Sequence, residues 1–540
     1  LAQHAMLAGI PKAPSRNNPV SGPEAGEQRR NWILGRMLTL GYISQRDYSA
    51  AAAAPVTARH HGARISFAAH YAAEMARQEM LDRYGMAAYN DGFDVYTTIS
   101  SELQQIAQRA LVSGLRTYDA RHGYRGPERQ LPLAATPSET PVATTADAAQ
   151  PPPPLPAIWR EALADTPVVA GLQPAIVTEV NEAGYGIALA NGSRAELAWE
   201  AGPSRARPYL SENSRGRAPA TPADLLAPGD LVRIYPGEDG AWQLAQVPAA
   251  QAALVSLDPD DGAIISIVGG LGFEQSKVNR AIQAQRQPGS TFKPFVYAAA
   301  FDAGFTAASI INDAPVVMED RSLEGIWRPE NDGGRFHGPT RLRWALTKSR
   351  NLFSIRLLQQ LGVRDLIDYA GSIGFDTSDF AADLSLALGT HAMSPLEVAA
   401  AYAVLANGGF RVEPYLIRRI DNLEGETVYE ARPATVCREC DVDALEEPGA
   451  EEELSIEEIL ARSEETKNSL PRAPRVMDAR VNFIIDSILQ DVITRGTGRR
   501  ALVLERGDMA GKTGTTNGPM DAWFSGYNRD VVTTTWVGFD

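Results

Sequence analysis

One stretch restricts the fold of this chain more than any other: Arg286-Gln287-Pro288-Gly289-Ser290-Thr291-Phe292-Lys293-Pro294-Phe295, which leads into an apolar run over 292–301. That run is too long for an ordinary strand and has the composition of a helix. Pro294 falls in the first turn, where a missing N–H costs little. The Gln287-Pro288-Gly289 turn delivers Ser290 to the helix start, three residues before Lys293, so the two side chains share a face. Partial positive charge at a helix N-terminus favours an alkoxide on Ser290. A lysine at that spacing can take the hydroxyl proton once its pKa falls far enough to leave the amine partly neutral.

S-x-x-K occurs once here, because lysine is scarce: Lys12, Lys277, Lys293, Lys348, Lys467 and Lys512 are the whole set. A genome biased towards arginine codons accounts for the scarcity. Arginine cannot act as a base, however, so a lysine that must deprotonate survives such a bias. Two more stretches follow in order. Ser349-Arg350-Asn351 lies within 344–358, which has helical periodicity, and Lys512-Thr513-Gly514-Thr515 follows Met509-Ala510-Gly511 and precedes strand-like segments. Singly, the first reads as a cap and the second as a strand end. In sequence, S-x-x-K, S-x-N and K-T-G resemble the three-part signature of penicillin-binding proteins and serine β-lactamases.

A length of 540 residues predicts several domains, and 44% apolar with 22% charged residues is ordinary for folded chains. A net charge of −15 argues against a nucleic-acid binder. No window reaches 18 uninterrupted apolar residues, as a membrane span would need. The chain opens on Leu1 inside a helical pattern and stops at Asp540 directly after a strand-like run, and we read it as a piece of a longer protein. Absent targeting signals therefore say nothing about location. Cys437 and Cys440 form a lone C-x-x-C, and zinc would need a second pair of ligands. A local disulfide is favoured over two free thiols, and a redox centre comes last. The seven histidines show no metal-ligand spacing, so neither metal nor cofactor is expected.

The rest of the chain extends the resemblance. Leu7-Ala8-Gly9-Ile10-Pro11-Lys12-Ala13-Pro14-Ser15, then Arg29-Arg30-Asn31-Trp32-Ile33-Leu34 with Met37 and Gly41-Tyr42-Ile43, resemble the end of the glycosyltransferase domain of class A penicillin-binding proteins. That family usually has an acid where Gln3 stands and a tyrosine where Asn17 stands, and its catalytic glutamates lie upstream of Leu1. Tyr118-Asp119-Ala120-Arg121-His122-Gly123-Tyr124-Arg125-Gly126-Pro127-Glu128 resembles a stretch of the 1A-type members, with His122 and Tyr124 read as structural. Helices are expected over 67–84 and 102–118, with a strand over 93–99 between them. A proline-rich linker ends at 151–154. Beyond it, strand-like runs at 175–180, 185–189, 195–199, 231–235 and 242–247 suggest a small barrel, OB-like by the resemblance. Trp199 and Trp242 plug its core or, less favoured, line a ligand face. Leu254-Val255-Ser256-Leu257 and 263–268 form a hairpin leading towards Ser290. Trp327-Arg328-Pro329-Glu330-Asn331, 384–390 and 399–409 match further family features, taken as packing. The acidic insertion at 437–468 reads as a solvated segment, with partner docking the minority reading, and 481–493 as an amphipathic helix.

The resemblance implies a multidomain α+β protein. It divides into a C-terminal remnant of an all-α, lysozyme-like glycosyltransferase domain (1–56), an interdomain region (57–156), an OB-like β domain (157–250) and a penicillin-binding, β-lactamase-like transpeptidase domain with an antiparallel sheet and helices (251–540). It implies D,D-transpeptidation of stem peptides ending in D-Ala-D-Ala. Ser290 is then the nucleophile, Lys293 the general base and Ser349 the proton relay, while Asn351 holds the substrate amide. Lys512 with Thr513, Gly514 and Thr515 binds the terminal carboxylate, and the Lys512 charge depresses the Lys293 pKa. The N–H groups of Ser290 and Thr515 form the oxyanion hole, where one donor is worth about 2.7–4 kcal/mol. Partners implied are stem peptides, glycan strands and β-lactams, with no nucleic acid. The implied location is the periplasmic face of the bacterial inner membrane, with an anchor preceding Leu1. A β-lactamase, a D,D-carboxypeptidase and a non-catalytic penicillin-binding sensor are the rivals. A class A lactamase places its deacylation glutamate four residues before an asparagine, and between Asn351 and Lys512 only Glu464 and Asn468, in the acidic run, stand so.

Overall fold

The computed structural model describes residues 1–59, 67–133, 155–237, 239–320, 325–438, 470–516 and 520–540. The proline run at 151–154 and the acidic insertion beyond Arg438, Cys440 included, lie outside them. Cys437 is disulfide-bonded, the favoured outcome for the pair.

Two units divide the chain, Leu1–Ala68 and Ala69–Asp540. The first is helical, with Ala2–Gly9, Pro23–Thr39 and Gln45–Ala53. Its fixed point is the buried Arg30, whose guanidinium donates to the carbonyls of Ala52 (2.8 Å) and Ala54 (2.7 Å) and pairs with Glu27 (3.1 Å). Those bonds satisfy carbonyls left open at the end of the third helix. Asn17, at the position where a tyrosine was expected, is buried and donates to Gly9 O at 3.0 Å.

In the second unit, helices His70–Tyr84 and Ser101–His122 flank a strand, Phe93–Thr97, near the expected bounds. The barrel region holds β1 (Arg129–Gln130), β2 (Gln173–Asn181), β3 (Gly184–Leu189), β4 (Arg194–Ala198), β5 (Asp230–Pro236) and β6 (Trp242–Ala245). Five of these follow the sequence reading. The two-residue β1 was invisible to it, and draws residues 129–130 out of the expected interdomain region into the β1-β5-β2-β3-β4 sheet, with β6 on β5. Trp199 and Trp242 pack against the barrel core, as favoured.

The 1A-type motif turns out to be a clamp. Arg125 grips Asp119 (2.7 and 3.3 Å) and the carbonyl of Val247 (2.7 Å). Glu128 takes both arms of the buried Arg233 of β5 (2.8 and 3.1 Å). Bidentate pairs of this kind fix geometry as well as adding energy, so the clamp ties helix Ser101–His122 to the barrel.

The last region is built on a five-stranded antiparallel sheet. Its strands are β7 (Gln251–Leu257), β8 (Ile264–Val268), β9 (Ala510–Thr515), β10 (Asp521–Tyr527) and β11 (Val532–Gly538), in the order β8-β7-β11-β10-β9. β7 and β8 are the expected hairpin, and β9, carrying Lys512, is an edge. Helix α1 (Lys293–Asp302) is buried at every position from Lys293 to Phe301. A helix apolar on all sides belongs in a core, and each large side chain so covered contributes about 1.5–3 kcal/mol. Around it stand α2 (Leu342–Thr347), α3 (Asn351–Leu361), α4 (Pro395–Ala406) and α5 (Ala479–Thr494). A Ser394/Glu397 capping box starts α4. Among the described residues no helix is long and apolar enough to cross a membrane.

The candidate active site

Ser290 sits in a short 3-10 turn, Gly289–Phe292, that runs straight into α1. Glycine is required on both sides of that turn. Gly289 has φ +56°, and a Cβ on it would lie 2.7 Å from Thr515 O of β9, while a Cβ on Gly389 (φ +71°) would collide with Gly289 O. Gly514 of β9 has the same constraint, since a methyl there would strike Pro288 O. Close backbone approach thus seats the serine turn against the edge strand. Tyr402 of α4 braces it from behind, donating to Thr291 O at 2.7 Å. Thr516 N–H returns to Asp521 O (3.2 Å), so strand alternation turns Thr515 N–H away from β10, to the open edge.

Ser349 stands in a break that periodicity did not reveal. The stretch 344–358 is two helices, with Ser349 at φ +56° between α2 and α3. Its N–H donates to Leu346 O (3.0 Å) and that of Arg350 to Ala345 O (2.9 Å). This is a Schellman ending of α2, with serine in the place glycine normally takes. A left-handed serine costs on the order of 1–2 kcal/mol, and the two lysines hold it there. Lys293 Nζ donates to the Ser349 carbonyl (2.9 Å) and lies 3.5 Å from its Oγ, while Lys512 Nζ donates to that same Oγ at 2.8 Å.

Asn351 completes the cluster, its Oδ1 accepting from Lys293 Nζ at 2.7 Å and its Nδ2 donating to Glu330 O at 2.8 Å. The structure therefore brings together Lys293, Ser349, Asn351 and Lys512, with Ser290 on the adjoining turn. The direct Ser290–Lys293 bond anticipated from their spacing is not made. Lys293 is turned instead to Ser349 and Asn351, and Ser290 Oγ has no hydrogen-bond partner among the described residues. Lys512, expected to face a carboxylate, is fully buried on Ser349 Oγ and on Thr513 O (2.9 Å). Thr513 shares a 2.6 Å hydroxyl bond with Thr497, and Thr515 is exposed at the strand end.

Both amines lose basicity. Burial pushes Lys512 down to about 7. Lys293 falls well below the ordinary lysine range, first through burial, then through the charges of Lys512 and Arg350. Burial and the mutual repulsion of the two amines both act against holding two protons here, and Arg350 adds to the repulsion at Lys293.

The transpeptidase-domain model of penicillin-binding proteins matches residues 252–540, and the penicillin-binding protein OB-like domain matches 124–250. Penicillin-binding protein 1A of Pseudomonas aeruginosa is 49% identical over the whole chain, and that of Escherichia coli K12 39%. The crystal structure of penicillin-binding protein 1A from Haemophilus influenzae superposes with a TM-score of 0.78 at 37% identity, covering 100% of this chain and 76% of that one. The chain belongs to the class A penicillin-binding proteins of the 1A type. It spans 65% of the length of each of the Pseudomonas and Escherichia relatives.

Within this penicillin-binding protein, sequence reasoning noticed Asn331 only as packing. Its Oδ1 accepts from the N–H groups of Asn351 (2.9 Å) and Leu352 (3.2 Å), and its Nδ2 donates to the fully buried Asp313 (2.7 Å) and to Arg335 O (3.0 Å). It caps α3 from twenty residues away, where Arg350 supplies no side-chain cap. Thr497 and Gly389, the latter read as packing, also help to hold the site. W-x-P-x-N was the signal for Asn331; nothing local marked Thr497.

Proposed function

We propose that this region is a serine D,D-transpeptidase acting on stem peptides that end in D-Ala-D-Ala. Ser290 Oγ attacks the penultimate D-alanine carbonyl while its proton passes to the neutral Lys293 amine. The N–H groups of Ser290 and Thr515 receive the developing oxyanion. As the C–N bond breaks, the proton reaches the leaving amine through Ser349, whose hydroxyl lies between both lysines. D-Alanine departs, and an ester remains on Ser290. An amine of a second stem peptide then attacks that ester, forms the cross-link and returns the proton to Ser290. The donor lies extended along the open edge of β9, as an added strand. Asn351 orients its amide, and the Thr513 and Thr515 hydroxyls take its carboxylate. Lys512, being buried, contributes through Ser349 and through its field at Lys293, a change from the role first assigned to it. β-Lactams acylate Ser290 by the same route. We further assign residues 1–56 to the end of a glycosyltransferase domain and the whole protein to the periplasmic face of the inner membrane, anchored by a preceding segment.

The observation that carries this reading is the meeting of Lys293 and Lys512 on Ser349 beside the Ser290 turn. The test is the fate of a penicilloyl adduct, followed by mass spectrometry. A transpeptidase holds it for many minutes and passes a donor acyl group to an added D-amino acid. Prompt penicillin hydrolysis means a lactamase, water-only transfer a carboxypeptidase, and acylation without any donor turnover a sensor.

A further inference from the structure

A cavity of about 520 Å³ lies between helix Ser101–His122, the segment 202–215 and strands β5 and β6, and holds none of the site residues. Five guanidiniums line it: Arg116, Arg121, Arg205, Arg207 and Arg215. In a chain of net charge −15 that is a marked local reversal. Among the described residues none of the five makes an ion pair with a carboxylate. Among the same residues Arg205 and Arg207 reach backbone carbonyls, those of Glu200 (3.5 Å) and Gly216 (2.7 Å). The side chains of Arg121 and Arg215 make no hydrogen bond or ion pair among the described residues. Arg116 lies over the ring of Tyr235 at 3.3 Å. The acid on the wall, Asp119, is taken by Arg125. Glu212 stands near Tyr118 beside the cavity.

We propose that this cavity binds peptidoglycan strands through the carboxylates of their stem peptides, away from the transpeptidase cleft. The ligand identity rests on the function proposed above; the anionic class follows from the arginines alone. Uncompensated like charges repel one another and raise the local concentration of anions. Guanidinium forks match carboxylates. A glycan strand carries those carboxylates repeatedly on an uncharged sugar backbone, so several guanidiniums can be engaged at once.

The test uses the full chain with Ser290 blocked by penicillin, so that the transpeptidase cleft takes no part. Uncross-linked glycan strands with stem peptides are titrated against it, and against Arg121→Glu/Arg215→Glu, whose two sites are exposed and unpartnered. We expect the charge reversal, or amidase removal of the stem peptides, to weaken binding at least tenfold, and salt to weaken wild-type binding. Penicillin labelling of the variant should keep its wild-type rate. Equal binding by the variant, or stronger competition by polyglutamate or a single-stranded oligonucleotide than by intact strands, overturns the proposal. Failure of wild-type labelling is a separate outcome: it overturns the transpeptidase reading, and Ser290→Ala protein then replaces the blocked form in the same titration.

Discussion

Replacing Asn331 with alanine tests how the site is held, because the side chain touches no reacting atom. The substitution removes the acceptor of two α3 N–H groups and the donor to a fully buried carboxylate. Loss of a cap costs about 0.5–2 kcal/mol, and stranding the Asp313 oxygen about 1–3 kcal/mol more. The first turn of α3 then opens, and Asn351 leaves Lys293. That 2.7 Å bond to an amine is of the charge-assisted kind worth about 1.5–3 kcal/mol. Losing it in the transition state slows acylation about 10- to 150-fold. The assay is the second-order acylation constant with a fluorescent penicillin, beside a thermal melt and hydrogen exchange at the start of α3. Asn331→Asp keeps an acceptor for the helix but sets a second carboxylate on Asp313, and should be no better. An acylation constant within threefold of wild type, with only the melt lowered, would refute the reasoning and leave Asn331 a stability residue.

Other outcomes follow from the same geometry. Lys512 titrates near 7 when folded against 10.5 unfolded, so the unfolded chain binds more protons between those values. From this group stability rises from pH 7 towards pH 10 by up to about 1.4 kcal/mol per pH unit. Lys293 adds a slope of the same sign, so Lys512→Met should remove its own share and leave that of Lys293 in urea titrations at pH 7, 8 and 9. Gly514→Ala drives a methyl into Pro288 O and should cut acylation at least a hundredfold; near-normal labelling would show that the serine turn does not depend on this approach. Ser349→Ala removes the hydroxyl shared by both amines and should slow acylation by about 10²–10⁴, the usual span for a lost proton relay, measured by the same labelling kinetics.

Sequence legibility differed by element for physical reasons. The three motifs could be read because they follow one another in order at fixed internal spacing, and the run 292–301, apolar but for Lys293, left α1 few alternatives to the core. The break at Ser349 could not, because α2 and α3 bury a common face and no glycine or proline marks the turn. Spacing put Ser290 and Lys293 on one face, but the preferred partners of Lys293 are a carbonyl and an amide more than fifty residues on. Asn331 was legible as a motif and illegible as a cap, since its bonds to α3 cross about twenty residues that include a strand and all of α2. The β1 strand is too short to carry a pattern, whereas the other barrel strands are longer runs bounded by turn signals. Charge reversal around Arg116 arises from two segments far apart in sequence, each unremarkable alone.

The central claim is that the Ser290 hydroxyl becomes the acylated atom, in a cleft where two depleted ammonium groups share one serine. Peptide mapping of penicillin-labelled protein tests it directly, on wild type, Ser290→Ala and Lys293→Ala. The account predicts label on the peptide containing Ser290, none on the alanine variant at that position, and a rate lowered at least a hundredfold without Lys293. Label on another residue, or label surviving Ser290→Ala, contradicts it.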